Sequence, residues 1–269
     1  MAGKSGGLLS ASLMVVLTVG GSACDYDRSS APNGPGYNGD TAGMSAVRGR
    51  SDFRVLTATG DIAATVAEFR TALGDPLNGG TPGPLSGGRR EIKWDAAPAD
   101  MPGDFFNTTV KAGAIFSTDG TGFRNSDADF SEINPAYADD FNAFSLPKTF
   151  MPLGSAEVTT EFRVPGSETP AATRGFGVVF SDVERHGAAS IKLFDAHGRS
   201  LGQYHAPVRS DASGFSFVGV VFDTPLVAQV RITSGQRALG AEVQDLSDGG
   251  NLDLVVMDDC LYAEPQAIQ

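Results

Sequence analysis

Two apolar runs in this chain end in acid, and their chemistry is the clearest the sequence offers. In VVMDDC, Asp258 and Asp259 follow a continuous apolar stretch. A buried carboxylate without a partner is costly, and a regular strand turns one of two neighbours inward. Such a carboxylate is either hydrogen-bonded as a structural group, paired with an arginine, or used as a ligand for calcium. Calcium takes carboxylate and carbonyl oxygens. Asp182 and Glu184 close another apolar run, Gly175 to Val183, and are the companions such a site would draw in. If calcium is the outcome, the expected metal ligands are Asp182, Glu184, Asp258 and Asp259, with Ca2+ as the cofactor; hydrogen-bonded structural aspartates are the other reading.

A second candidate is GGRREIKWD, residues 87–95, which holds the only tryptophan. On a strand, Arg90, Ile92 and Trp94 share one face, and Arg89, Glu91, Lys93 and Asp95 share the other. The charged face alternates in sign and reads as a solvated ladder of ion pairs. The other face has two readings. Trp94 and Arg90 can be ligand-binding residues, with the indole as a platform for a sugar ring and the guanidinium as a donor beside it. Alternatively, a tryptophan among apolar residues belongs to the core.

Other patterns carry less. Asn125, Asp127 and Asp129 alternate like the start of a calcium loop, but Phe130 stands where an EF-hand needs glycine. An irregular calcium loop remains open there. Gly198-Arg199-Ser200-Leu201-Gly202 matches the G-x-S-x-G pattern. A nucleophile elbow requires strand, turn and helix, whereas this segment reads strand, turn and strand. His186, His197 and His205 make no triad or zinc-protease spacing. Cys260 reads as a buried small hydrophobe, and no Cys/His cluster suggests zinc.

The elements that must position these groups are mostly strands. Glu157 to Val164 alternates, which predicts a half-buried strand. Gly175–Val183, Phe215–Phe222, Ala228–Thr233 and Leu252–Tyr262 read as further strands. Ser190–Phe194 and Arg199–Ala206 read as a hairpin closed by Asp195-Ala196-His197-Gly198. One helix is predicted over 61–73, with Ile62, Val66, Phe69 and Leu73 on one face. Thr59 or Asp61 can cap its start, and Gly74 followed by Pro76 ends it. The fold class is mainly β: an antiparallel β-sandwich or jelly roll with one packed N-terminal amphipathic helix.

The chain carries 32 Asp and Glu against 20 Lys and Arg, for a net charge of −12. That balance argues against a nucleic-acid partner, which needs a basic patch. Residues 1–23 read as a signal peptide: Lys4 precedes the apolar Leu8 to Val19, and small residues lead to Cys24. Small residues just before Cys24 resemble the lipobox of bacterial lipoproteins, although Gly21 stands where that motif usually has leucine. Lipidation of Cys24 is the expectation, with ordinary signal cleavage as the alternative. Residues 24–50 are rich in Gly, Ser, Asn, Pro and Ala and read as a flexible tether, leaving 51–269 as one β-sandwich domain.

GGRREIKWD, DFFN (104–107), GFGVVFSDVE (175–184), IKLFDAHGRSLG (191–202), VRITSG (230–235) and VVMDDCLYAEP (255–265) together resemble an uncharacterised family of exported bacterial proteins. The later part resembles the galactose-binding-like jelly roll of many secreted and exosortase-sorted (PEP-CTERM) proteins. A strand, an "FDAxGxxLG" turn and a final "DD" strand recur there. The resemblance covers about 53–265 and implies a structural calcium in some members. The sorting tail is not seen before Gln269, so anchoring is expected through the N-terminus. The expected function is non-catalytic binding at the cell surface or after secretion, with polysaccharide as the leading partner by fold analogy. The alternatives are a structural or adhesive surface protein and a carbohydrate-active enzyme.

Overall fold

Two apolar patterns in the sequence become two kinds of strand. A computed structural model of the protein describes residues 52–108, 110–209 and 214–269. The signal segment, the tether and Cys24 lie outside the described residues. In chain order the elements are β1 (Phe53–Gly60), α1 (Ala63–Leu73), β2 (Arg89–Ile92), β3 (Asp100–Pro102), β4 (Ala114–Ser117) and β5 (Gly122–Ser126). They continue with β6 (Thr149–Leu153), β7 (Glu157–Phe162), β8 (Ala171–Ala172), β9 (Gly175–Ser181) and β10 (Ala189–Phe194). The last are β11 (Ser200–His205), β12 (Phe215–Phe222), β13 (Gln229–Ser234), β14 (Val256–Ala263) and β15 (Gln266–Ala267).

The larger sheet has eight strands in the order β1-β12-β9-β14-β6-β5-β3, with β2 also paired to β14. The smaller has five, in the order β11-β10-β13-β7-β4, and β15 pairs β8 apart from both. The named strand pairs are antiparallel. The fold is thus the expected antiparallel β-sandwich with one helix. The main core lies between the sheets and includes Phe116, Phe123, Phe150, Phe162, Phe176, Val218, Ile191 and Ile232.

The larger sheet is covered on its outer face too. There α1 places Val66, Phe69 and Leu73 against Val179, Phe217 and Leu261. Asp61 caps it from outside the helix, its carboxylate accepting from Ala63 N at 3.2 Å, and Gly74 ends it at φ 105°. The helix sits close because the strands beneath it carry glycine. A Cβ on Gly177 or Gly219 would stand 2.7 or 2.6 Å from the Phe69 ring. Farther along the same face, Phe130, Tyr137 and Phe141 pack on Met151, Leu254 and Val256. Among the described residues the outer face of the smaller sheet has no such cover: Lys192, Thr159, Glu161 and Gln229 are partly exposed there, and Arg231 and Gln203 are exposed.

Candidate functional site

The acidic end of the sandwich is built where β9 runs out. Asp182 follows its last residue in the left-handed conformation, φ 71°, which re-aims the chain. Asp182 is buried, and so is Asp245, which belongs to the loop between β13 and β14. That loop holds its own aspartate in place. Asp245 Oδ2 accepts from Ser247 N at 2.7 Å and Ser247 Oγ at 2.6 Å, and Oδ1 accepts from Leu254 N at 2.8 Å. One carboxylate oxygen each from Asp182, Glu184 and Asp245 lie within 4.8 Å of one another.

Two further aspartates border this group. Asp253 Oδ2 accepts from Glu184 N at 2.9 Å and Arg185 N at 2.5 Å, while Asp140 Oδ1 accepts from Ser247 Oγ at 3.1 Å. The facing cation is Arg209, whose Nε lies 2.6 Å from Asp182 Oδ1 and whose Nη2 lies 2.6 Å from Glu184 Oε1. Asp182 Oδ2, Glu184 Oε2, Asp253 Oδ1 and Asp140 Oδ2 are buried and accept no hydrogen bond.

The electrostatics follow from this excess of acid. Burial pushes Asp182 up to about 8, against the opposing pull of Arg209, and Asp245 and Glu184 add to the rise. Burial, then the charge of Asp248, raises Asp140 to about 6. Burial raises Asp253 to about 6, opposed by the backbone donors of Arg185 and Glu184. Glu184 is raised by burial and then by Asp245. Left to themselves these carboxyls favour protons. Carboxylate oxygens of Asp182, Glu184 and Asp245 gathered at one spot, with Asp182 Oδ2 and Glu184 Oε2 lacking donors, are the hard oxygen type that a calcium ion takes. The residues therefore fit that metal.

The four ligands expected from sequence do not gather. Asp182 and Glu184 join Asp245, but Asp258 and Asp259 lie in a different environment, beneath α1. The β14–β9 register shifts between Met257 and Cys260, so the two aspartates sit in a bulge and both are buried, instead of alternating inward and outward. Asp258 Oδ2 accepts from Phe144 N and from Ser145 N at 3.0 Å. Ser145 Oγ lies 3.1 Å from Asp258 Oδ1 and 2.5 Å from Asp259 Oδ1. Arg70 Nη2 stands 3.5 Å from Asp259 Oδ2. Burial and then the adjacent Asp259 push Asp258 up to about 8, and burial raises Asp259 as well. Asp258 is held by two amides and the Ser145 hydroxyl, whereas Asp259 Oδ2 accepts no hydrogen bond and has the Arg70 guanidinium at ion-pair distance. Both aspartates lie outside the group formed by Asp182, Glu184 and Asp245, and the expected four-ligand set is corrected on that ground.

The ligand-binding assignment of Arg90 and Trp94 is corrected too. β2 ends at Ile92, and Trp94 turns inward at φ 64° with only 3% of its surface exposed. Its ring stacks on Phe150 with centroids 3.6 Å apart, and Nε1 donates to the Asp258 carbonyl at 2.6 Å. Arg90 is fully buried in a two-pronged pair with Glu264, at 2.7 and 2.9 Å. It also donates to the carbonyls of Gly79 and Thr81 at 2.7 and 2.9 Å. Neither side chain reaches a sugar. The charged face of β2 is not a solvated ladder either. Glu91 is covered and accepts from Arg70 at 2.9 and 3.0 Å and from Arg89 at 3.1 Å. Asn125 is buried, its Nδ2 donating to the Trp94 carbonyl at 2.9 Å, while its Oδ1 accepts no hydrogen bond. Ser200 opens β11 in a strand–turn–strand hairpin, without the helix an elbow needs.

Sequence reasoning missed Asp245. The signal was there: DLSDGGNLD, residues 245–253, carries three aspartates and an asparagine around a Gly-Gly turn. It also missed the exposed face of the smaller sheet as a surface in its own right. Register aligns Gln203, Lys192, Arg231, Thr159 and Ser117 in one row across the five strands. Ser200, Phe194, Gln229, Glu161 and Ile115 form the next row. Gln229 Nε2 donates to Glu161 Oε1 at 3.4 Å, Arg163 pairs with Glu161 at 2.9 Å, and the Lys192 ammonium lies 5.4 Å from the centre of the Phe194 ring. A hollow of about 250 Å³ bounded by Ser117, Glu161, Arg163 and Glu168 opens at the β4 side.

No protein-family model and no curated protein matches the chain. Among solved structures it is similar to TmCBM61 in complex with beta-1,4-galactotriose, at 12% identity and a TM-score of 0.28, over 58% of this chain and 88% of that one. It is similar to the arabinose-bound MgGH51 α-L-arabinofuranosidase at 14% identity and a TM-score of 0.29, over 57% of this chain but 23% of that one. The enzymatically active domain of bacteriophage CBA120 tailspike protein 4 matches at 16% identity and a TM-score of 0.18, over 49% of this chain and 20% of that one. Likeness at these TM-scores carries no argument about this chain's ligand.

Proposed function

We propose that this protein is a non-catalytic β-sandwich binding domain that takes a polysaccharide on the outer face of its smaller sheet. The observation that supports this reading is the open face itself. Five strands present amide, guanidinium, ammonium, hydroxyl and carboxylate groups in registered rows, and among the described residues Arg231 and Gln203 are left exposed. Rows on one face of a strand repeat at about 7 Å. Lys192, Arg231 and Arg163 are mixed with Glu157 and Glu161, so the face has no single sign of charge. A neutral, hydroxyl-rich chain fits such a surface better than a polyanion or polycation. The test is retention of the full chain on a panel of neutral polysaccharides in affinity electrophoresis. Arg231→Ala and Gln203→Ala are expected to abolish retention by the polymer that holds the parent while leaving the melting temperature unchanged. Retention unaffected by both, or no retention by any polymer, overturns the reading.

The reading includes a structural Ca2+ held by Asp182, Glu184 and Asp245, which would settle the acidic end and tie β9 to the loop before β14. Its support is the gathering of one carboxylate oxygen from each of the three within 4.8 Å, together with the donorless Asp182 Oδ2 and Glu184 Oε2. After treatment with EDTA, added Ca2+ is expected to raise the melt by the linkage term, about 2.7 kcal/mol at a hundredfold excess over its dissociation constant. Asp245→Asn should remove that response. The reading also places the protein at the cell envelope through a lipid on Cys24, supported by the residues around that cysteine. Cys24→Ser should move the protein to the soluble fraction.

A further inference from the structure

We propose a transition-metal site at His186 and His205, separate from the acidic cluster and independent of the polysaccharide reading. The chain has three histidines, and two of them meet here although 19 positions separate them. His186 lies in the turn that leads into β10, and His205 ends β11, opposite Ser190 of β10. Both are exposed. Their ring centroids are 5.4 Å apart with planes inclined by 34°. A metal ion bound about 2.0–2.1 Å from one nitrogen of each imidazole, at a tetrahedral angle, holds the ring centres roughly 5 Å apart. The observed spacing is that of two imidazoles on one ion, before any adjustment of these surface side chains.

The backbone prepares the approach. Ala188 N donates to the Arg185 carbonyl at 3.1 Å and closes the turn, and Ala206 N donates to the Ala189 carbonyl at 3.0 Å, fixing the end of β11 beside it. Gly187 between them has φ 88°, and a Cβ placed there would stand 3.9 Å from His205 Nδ1. The positive φ at Gly187 calls for glycine and sets the course of the turn that carries His186 beside His205. Two neutral imidazoles with open sides select borderline ions, Zn2+ and above all Cu2+, over the hard Ca2+ expected of carboxylates. Water completes the coordination. The ion would join the β10 turn to β11, the edge strand of the smaller sheet, and would sit at the rim of the open face.

The experiment is titration of the full chain with Cu2+ and, separately, Zn2+ in the presence of excess Ca2+, followed by equilibrium dialysis and, for Cu2+, by electron paramagnetic resonance. One ion per chain is expected, with the splitting pattern of two nitrogen ligands. His186→Ala and His205→Ala should each weaken binding by about tenfold or more, because removing a ligand costs at least what loss of a supporting partner does. His197→Ala, on the hairpin turn, serves as the histidine control, and Asp245→Asn as the control for the acidic cluster. Binding that survives both His186→Ala and His205→Ala, binding lost in Asp245→Asn alone, or a copper spectrum with oxygen ligands only, overturns the proposal.

Discussion

The two sheets of this sandwich solve the same problem differently. In the larger sheet, β9 and β14 are buried at every residue. In the smaller one, β7 and β13 bury every second residue. The cause is cover. A strand packed on both faces must be apolar throughout, whereas a strand with one wet face alternates. The covered sheet has to manage polar groups with internal partners, because water does not reach them. That is where the Arg90–Glu264 pair, the Glu91 network and the Asp258–Asp259 bulge are found. The open sheet leaves its charged groups to solvent, and they remain available to a ligand.

This contrast can be broken at several points. The largest effect should come from Arg90→Ala, which strands Glu264 without its guanidinium; loss of one partner of a buried pair costs about 3–5 kcal/mol. Chemical denaturation should show it, and a paired Arg90→Met, Glu264→Leu variant should recover much of the loss. Next is Gly219→Val. Its Cβ alone would stand 2.6 Å from the Phe69 ring, so α1 must lift from the sheet. Overpacking of this kind costs about 1–3 kcal/mol, and amide exchange should quicken across α1.

The acid pair gives a signed pH dependence. In the folded state Asp258 holds its proton up to about pH 8, while the unfolded chain releases it near the ordinary carboxylate value. The folded form then binds the extra proton between those limits. Stability from this group is present in full at low pH and is lost as pH rises towards 8, with a slope of at most about 1.4 kcal/mol per pH unit. Asp258→Asn keeps an oxygen for the amides of Phe144 and Ser145 and mimics the protonated acid. It should flatten that slope and melt above the parent at pH 8; a slope unchanged in this variant would contradict the assignment. The smallest effect belongs to the open face: Arg231→Ala and Thr159→Ala should change stability by no more than about 0.5 kcal/mol.

Much of the frame was legible because it depends on local period. The alternation from Glu157, the apolar run from Gly175 and the stripe of Val66, Phe69 and Leu73 each name their element and its cover. β12 runs over Phe215–Phe222, as the sequence reading expected. The site was less legible, for three physical reasons. Asp258 and Asp259 sit in a bulge, and no pattern of two residues announces one. Trp94 packs in the same core that Ile92 borders, so their shared face was legible, but the spacing alone does not say whether that face is buried or open to a ligand. Asp245 meets Asp182 only after β9, β13 and β14 are in place, and that meeting is a property of topology and not of spacing. The nearness of Asp182 to Glu184 was legible because an apolar run ending in acid is a local pattern.

The position of β14 also bears on how the molecule comes together in time. β14 is the centre of the larger sheet, paired to β9 on one side and to β2 and β6 on the other, yet it is made of residues 256–263. A nascent chain that has reached residue 250 holds both halves of that sheet and nothing to join them. Contacts of this sequence separation make closure slow, and the unjoined edge of β9, apolar up to Ser181, is a template for pairing with another chain. Assembly must therefore wait for late synthesis, and a chain interrupted before Val256 is the species most exposed to aggregation.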